Sequence, residues 1–187
     1  MATIERNGRC ALICAESCGG KSTFTAACIH YGFRTLGDDK VLINTSAPPR
    51  AFALSGGMNL DPAVSRWFPE TATLAQLPTY SRWSPKRKVR IESLWPDALR
   101  PHALPVFLLK LNRSQNATPL SLQPLPPNQI INALSRQTVI PNDRQAAAAI
   151  LPTIMRLAAQ MRGWSLTLSS DVYTDLNNLQ AIEELFA

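Results

Sequence analysis

The stretch from Ala11 to Cys28 constrains the fold of this chain more than any other part. An apolar run of strand length, Ala11 to Cys14, leads into a turn of small residues, and a Lys-Ser pair then opens a helix-compatible segment. This order is typical of a phosphate-binding loop, because the loop N–H groups and the positive end of the helix dipole converge on one point. The sequence therefore predicts a nucleotide-binding loop made of Ala15, Glu16, Ser17, Cys18, Gly19, Gly20, Lys21, Ser22 and Thr23.

The Lys-Ser pair carries the predicted chemistry of this loop. Lys21 is expected to neutralise the β- and γ-phosphates, and the Ser22 hydroxyl is expected to ligate Mg²⁺. Ala15 stands where the general pattern has its first glycine and is a mild replacement for it. Cys18 lies in the loop itself, so it is the cysteine that we expect to be reactive.

An aspartate pair, Asp38–Asp39, follows the predicted short strand Phe33 to Leu36. In phosphate-loop enzymes an acidic residue at such a strand end faces the Mg²⁺ site. Adjacent side chains of an extended segment point to opposite sides, so one aspartate is expected to hold the metal and the other to serve as a base. The alternative is that Gly37-Asp38-Asp39 is only a turn, since these residues favour turns.

Composition narrows the class of protein further. The 187 residues suit one domain, 1–187, and the net charge of +6 favours anionic partners, with nucleic acid disfavoured because no long basic run is present. We expect no signal peptide, because Glu5 and Arg6 stand where its apolar run would begin, and no apolar run approaches the roughly 18 residues of a membrane helix. All four cysteines fall within the first thirty residues. We expect a cytoplasmic protein with reduced thiols.

The hydrophobic pattern predicts an α/β fold, a mixed β-sheet flanked by helices. Asn7–Gly8 predicts a hairpin between Ala2–Arg6 and Arg9–Cys14, and Lys21–Tyr31 reads as a helix. Further predicted elements are a strand from Lys40 to Asn44, a doubly buried strand from Pro105 to Leu111, a helix from Arg144 to Met161 that Pro152 kinks or splits, and a C-terminal helix capped by Thr174 or Asp175. In the helix from Arg144 to Met161, the side chains of Met155, Leu157 and Met161 are expected to face the core.

A basic stretch, Lys86-Arg87-Lys88-Val89-Arg90, alternates with apolar residues as an edge strand does. One interpretation is a solvated edge that discourages strand pairing. The other is that Lys86 or Arg87 reaches the phosphates or the acceptor.

The runs Glu16–Thr23 and Tyr31–Val41 together resemble the bacterial HPr serine kinase family and its short HPr-kinase-like relatives. The resemblance is close over residues 9–44 and looser beyond. It implies a phosphate-loop domain like the C-terminal domain of HPr kinase, related to phosphoenolpyruvate carboxykinase. It also implies ATP and Mg²⁺ as reactants, Ser22 and Asp38 as metal ligands, and Asp39 as the base toward an acceptor hydroxyl.

The resemblance further implies a serine acceptor on a peptide or small protein. Short relatives occur with peptide-modification systems, so a ribosomally made peptide is the expected acceptor. The family's upstream His and regulatory domain have no counterpart, because the chain begins with Met1–Ala2. This favours a minimal kinase over a bifunctional kinase/phosphorylase, and it leaves homo-oligomerisation open.

Two other function classes remain open. One is a different phosphate-loop enzyme, such as a small-molecule kinase; a GTPase is disfavoured because the chain has no Asn-Lys-x-Asp motif. The other is a non-catalytic nucleotide-binding protein, for which Ala15, Cys18 and the missing His argue. Nucleotide binding without turnover would distinguish this binder from a kinase.

Overall fold

The fold opens with the hairpin that Asn7–Gly8 predicts. A computed structural model describes residues 1–44, 46–115 and 118–187. In it β1 (Ala2–Arg6) pairs antiparallel with β2 (Arg9–Cys14). Asn7 and Gly8 have φ of 55° and 76°, as the tightest hairpin turns require. Helix α1 (Lys21–His30) follows β2 directly through the predicted loop.

The remaining elements follow in chain order, and several are short. The strands are β3 (Val41–Ile43), β4 (Ala51–Ala53), β5 (Gly57–Leu60), β6 (Thr79–Ser81), β7 (Ser84–Arg90), β8 (His102–Arg113), β9 (Leu120–Leu125) and β10 (Arg162–Leu168). The helices are α2 (Ile91–Leu94), α3 (Pro127–Gln137), α4 (Arg144–Gln160) and α5 (Gln180–Leu185), with 3₁₀ turns at Pro62–Arg66, Pro69–Gln76, Ser170–Tyr173 and Leu176–Leu179.

The main sheet is mixed, which confirms the predicted fold class. Its strand order is β1-β2-β8-β10-β9, and β2, β8 and β10 run parallel while β1 and β9 are antiparallel to their neighbours. Strand β4 pairs with the start of β8, and β3 pairs with β4. A second, antiparallel sheet has the order β5-β7-β6.

Helices cover both faces of the main sheet. Ala11 and Ile13 of β2 pack on the side of α1, and Leu12 packs on the side of α3 and α4. In β8, likewise, Leu109 faces the first side and Leu108 the second. Burial on both faces explains why these strands read as continuous apolar runs, as the sequence predicts for β8.

Three predicted elements differ in the structure. Phe33–Leu36 forms only isolated bridges, Arg34 to Glu5 and Thr35 to Leu99, rather than a strand. Pro152 lies inside a single helix, α4, which is not split there. The C-terminal helix begins as a 3₁₀ turn, in which the Asp175 side chain accepts a hydrogen bond from the Asn177 N–H.

The prediction for Met155 is wrong. Ile154, Leu157 and Met161 are buried, and they recur on one face of α4 at helical spacing. Met155 and Leu151 are exposed and stand four residues apart, so they lie together on a face next to the buried one, about 100° around the helix.

None of the described helices is long and apolar enough to cross a bilayer.

Gly163 allows α3 to approach β10 closely. A Cβ at this position would lie 2.6 Å from Ile130 Cγ1 and 3.0 Å from Leu125 Cβ. Gly163→Ala is therefore expected to lower the free energy of unfolding by about 1–3 kcal/mol through overpacking. Urea denaturation measures the loss. Gly32→Ala serves as the comparison, because a Cβ there meets nothing within 4 Å and only the positive φ is strained.

Candidate functional site

The predicted loop joins β2 to α1 at the carboxyl end of the parallel strands. Gly19 N–H donates to the Glu16 carbonyl at 3.0 Å, which closes a tight turn. Cys18 and Gly20 have φ of 60° and 86°, and Gly20 is the residue from which α1 starts. A Cβ at Gly19 would lie 2.9 Å from Glu16 O, so the turn leaves no room for a side chain there. The first N–H groups of α1 thus open toward the loop, where an anion is favoured.

Hydrogen bonds of the Thr3 backbone and side chain, on β1, hold the segment that leads to the aspartate pair. Thr3 N–H donates to Gly37 O at 3.0 Å, and Leu36 N–H donates to Thr3 Oγ1 at 2.8 Å. The buried Thr35 hydroxyl donates to Thr3 O at 2.7 Å. This network, rather than a regular strand, positions Asp38 beside the loop.

Asp38 faces the start of α1. Its carboxylate is fully buried, and Oδ2 accepts a hydrogen bond of 2.6 Å from Ser22 Oγ. Burial raises the pKa of Asp38 to about 6, opposed by the Ser22 hydrogen bond and the charge of Lys21, while the charge of Asp39 adds to the rise. Oδ1 is buried and has no hydrogen-bond partner among the described residues. A buried carboxylate with one unsatisfied oxygen is poised for a cation or for a donor.

Asp39 faces the other way. Its side chain is exposed, and Oδ2 accepts a hydrogen bond of 3.1 Å from Asn59 Nδ2. Asn59 lies on β5, and its Oδ1 is buried and unpaired within the described chain. The two aspartates therefore occupy different environments, one buried and one exposed, although they lie in a bend and not in the extended segment that the sequence predicts.

A cavity of about 190 Å³ lies over the loop and is rich in charge. Three cations line it: Lys21, Lys86 at the start of β7, and Arg113 at the end of β8. Arg113 packs against the loop, since a Cβ at Gly20 would lie 3.2 Å from its Cδ. None of these cations forms an ion pair with a described carboxylate. Glu16 and Asp61 also line the cavity, which is therefore mixed in charge but has an excess of positive groups.

The structure brings together most of the residues that the sequence singles out. Of the predicted loop, the residues from Cys18 to Thr23 line the cavity together with Glu16, while Ala15 and Ser17 are not among its lining residues. Lys86 lines it too, but Arg87 does not; the Arg87 guanidinium donates to the Pro85 carbonyl instead.

Sequence analysis missed Asn59, Asp61 and Arg113. Arg113 could have been predicted from the sequence, because it ends a doubly buried parallel strand and ligands bind at the carboxyl ends of such strands. Asn59 carries none, since its place depends on how the second sheet docks.

The residues at the loop fit a magnesium ion. Mg²⁺ is held in proteins by one or two oxygen ligands, with water and phosphate oxygens completing the octahedron. Ser22 supplies a hydroxyl and Asp38 a carboxylate, whose buried Oδ1 has no hydrogen-bond partner among the described residues and can ligate a cation. The described residues hold no cluster of three or more His, Cys, Asp or Glu side chains suited to a metal.

The four cysteines form no disulfide bonds with one another, and burial raises the pKa of the Cys14 thiol to about 11.

We expect Arg113→Ala and Lys86→Ala each to weaken ATP binding by about tenfold, because each removes a charged hydrogen-bond donor from the cavity. Calorimetric titration with ATP and with adenosine measures the effect. Loss confined to ATP identifies a phosphate contact, whereas equal loss for both ligands would contradict it. Lys88→Ala is the control, since Lys88 is exposed and lies on β7 outside the cavity.

Comparison with known proteins finds similarity in structure but not in sequence. No protein-family model matches the chain, and no curated protein matches it. The fold is similar to the structure of the HPr(Ser) kinase/phosphatase from Coxiella burnetii, with 12% sequence identity and a TM-score of 0.46. The alignment covers 98% of this chain and 95% of that chain. Similarity at this level assigns neither a family nor an activity, so the function rests on the site itself.

Proposed function

We propose that this protein is an ATP-dependent kinase that transfers the γ-phosphoryl group to a serine hydroxyl of a peptide or small protein. The observation that carries the proposal is the hydrogen bond of 2.6 Å from Ser22 Oγ to Asp38 Oδ2, next to an exposed Asp39. It ties the first turn of a phosphate-loop helix to an aspartate pair whose members face different ways. A phosphoryl transferase needs one group that holds the metal and phosphates of the nucleotide, and another that accepts the proton of the acceptor hydroxyl.

The residues divide the reaction between them. The loop N–H groups and Lys21 hold the phosphates, and Lys86 and Arg113 add positive charge to the walls of the cavity. Asp39 accepts the proton of the acceptor hydroxyl while the oxygen of that hydroxyl bonds to the γ-phosphorus. The bond between the γ-phosphorus and the oxygen that bridges it to the β-phosphate breaks, and ADP leaves. Asn59 holds Asp39 in place through the bond from Nδ2 to Oδ2. Ser22 and Asp38 would hold Mg²⁺, which when bound neutralises phosphate charge and orients the leaving group.

Positioning and electrostatics supply most of the rate enhancement in such a reaction. The transferred group carries its charge on oxygens that a basic cavity can stabilise. The exposed Asp39 remains accessible to an acceptor from outside.

The test is transfer of labelled phosphate from Mg²⁺-ATP to serine peptides by the purified protein, compared with Lys21→Ala. The variant is expected to lose at least about a hundredfold in kcat/KM, the effect seen on removing a stabiliser of developing charge. Lys88→Ala controls for the loss of one positive charge.

The outcomes separate the candidate functions. ATP binding with no transfer to any hydroxyl acceptor would favour the non-catalytic binder. Transfer to small hydroxyl compounds but not to peptides would favour the small-molecule kinase. No nucleotide binding would contradict the assignment of the loop.

A further inference from the structure

A second cavity, larger than the one over the loop, begins at Asp39. It is a groove of about 570 Å³ between β3 on one side and α3, α4 and their connection on the other. Leu134, Ile150 and Ile154 line the helical side. The aspartate pair therefore stands between two cavities, because Asp38 bonds to Ser22 of the phosphate loop while Asp39 lines the groove.

The rim of this groove is apolar and open to solvent. Leu42 and Val139 line it and are 51% and 84% exposed, and Leu54 beside them is half exposed. Exposed apolar residues that gather around a concave surface mark an interaction site.

The strand that forms one wall is an edge strand with free backbone groups. Within the described chain β3 pairs only with β4. Asn44 N–H donates to Arg50 O at 3.1 Å, so Asn44 and Arg50 form a hydrogen-bonded pair of the antiparallel ladder. Hydrogen-bonded pairs alternate along such a ladder, so the next residue of β3 whose backbone groups point toward β4 is Leu42. The backbone N–H and C=O groups of Val41 and Ile43 therefore point away from β4, to the open edge of the strand. All three residues of β3 line the groove although adjacent side chains point to opposite faces, so the groove follows the edge of the strand.

The charged side chains of the groove lie at one end. Among the described residues that line it, Asp39 and its neighbour Lys40 are the only ones with charged side chains, and the Met1 ammonium, which donates to Asp39 O at 2.8 Å, adds a positive charge at the same end. Lys40 is exposed and forms no ion pair with a described carboxylate. The groove therefore complements a ligand with a hydroxyl and an acidic group at one end and an apolar body.

We propose that this groove binds the acceptor as an extended peptide that adds a strand to the edge of β3. Its serine lies at Asp39, an acidic residue beside the serine faces Lys40, and alternate apolar side chains enter the groove. Backbone pairing gives affinity in this mode, and pockets for alternate side chains give specificity. The inference rests on the kinase function proposed above, and it specifies the class of substrate.

The experiment uses a synthetic library of short peptides with a fixed central serine and degenerate flanks. One arm captures peptides on the immobilised 187-residue protein with Mg²⁺-ADP, and the other phosphorylates the library with Mg²⁺-ATP. Sequencing of both pools is expected to show apolar residues at alternate positions on one side of the serine, and Asp or Glu next to it. Lys40→Glu is expected to replace that acidic preference with Lys or Arg.

A matched pair of leucine variants locates the binding surface. Leu42→Glu is expected to raise the KM for a selected peptide about tenfold, the cost of losing a contact worth roughly 1.4 kcal/mol, while leaving the KM for ATP unchanged. Leu151→Glu is the control, because Leu151 is 61% exposed but lies outside the groove.

The two arms separate failure of the groove from failure of the kinase function. Phosphorylated peptides without alternating selection, or equal peptide KM values for the two leucine variants, would overturn the groove and leave the kinase function intact. Alternating selection by capture without phosphorylation would overturn the kinase function and retain a peptide-binding edge. Capture of no peptide, together with no phosphorylation, would overturn both.

Discussion

Asp39→Asn is expected to reduce phosphoryl transfer by about 10²–10⁴-fold while nucleotide affinity stays within about twofold, because a general base contributes at this scale and does not touch the nucleotide. Asparagine has the shape of aspartate, and its side-chain oxygen can still accept the hydrogen bond from Asn59 Nδ2. The substitution therefore removes the proton acceptor with little change in position. Single-turnover transfer to a selected peptide measures the rate, and calorimetry measures the affinity for Mg²⁺-ATP.

Asp61→Asn provides the electrostatic control for this result. Asp61 lines the phosphate cavity, and its carboxylate accepts a hydrogen bond from Ala63 N–H that asparagine can keep. The Asp61→Asn substitution removes one negative charge from the phosphate cavity, as Asp39→Asn removes one beside it, but it does not remove the proton acceptor for the substrate hydroxyl. A loss in Asp61→Asn as large as that in Asp39→Asn would show that the site responds to net charge, and it would remove the base from the mechanism.

The local part of this site could be predicted because it is encoded in consecutive residues. A small-residue turn between β2 and α1 favours backbone N–H groups that point to one place, so the position of the loop could be predicted from the sequence, and phosphate binding there stays a prediction. The place of Asp38 beside the loop is expected from the sequence, but the pair lies in a bend and not in the extended segment from which its division of roles is predicted. No knowledge of the tertiary structure enters either argument.

The non-local part could not be predicted, because it depends on how separate elements dock. Asn59 meets Asp39 only because the small sheet packs beside the segment after Gly37, and an asparagine between Met58 and Leu60 gives no sign of this. The expected strand at Phe33–Leu36 fails for a related reason. Its backbone bonds go to different partners, Arg34 to Glu5, Thr35 to Ala98 and Leu36 N–H to the Thr3 hydroxyl, so only isolated bridges form.

Helix α4 illustrates the same limit within one element. Its sequence has apolar residues on more than one face, so periodicity alone does not select which face is buried. The structure buries Ile154 and Leu157 and leaves Met155 and Leu151 in solvent. Ile150 and Ile154 of this helix line the groove beside Asp39, whereas the exposed Leu151 and Met155 lie outside it.

Asp38→Asn is expected to have two large and opposite effects, on stability and on metal binding. Burial raises the pKa of Asp38 from its ordinary 3.8 to about 6, so the folded protein binds more protons than the unfolded chain between these values. Stability of the wild type therefore falls as pH rises from about 4 to about 6 and stays low above that window. The uncharged variant escapes this penalty, and at neutral pH it should be more stable by roughly 3 kcal/mol, the equivalent of a shift of about two pKa units.

Metal binding moves in the other direction. The amide that replaces the carboxylate carries no negative charge, so we expect Asp38→Asn to weaken Mn²⁺ binding, measured by electron paramagnetic resonance with ADP present, by about 10–100-fold. In the wild type, protons compete with the metal for Asp38, so affinity for Mn²⁺ should fall as pH drops below about 6 and should not do so in the variant.

Denaturant unfolding across this pH range, without metal or nucleotide, tests the stability effect. Asp97→Asn is the control, because Asp97 is exposed and lies outside both cavities. The difference in unfolding free energy between Asp38→Asn and the wild type should be small near pH 4 and should grow through pH 6. A difference that is constant with pH would show that Asp38 does not titrate in this window, and unchanged Mn²⁺ affinity would place the metal away from Asp38. If both effects appear together, the buried carboxylate is kept at a cost to stability because the ligand needs its charge.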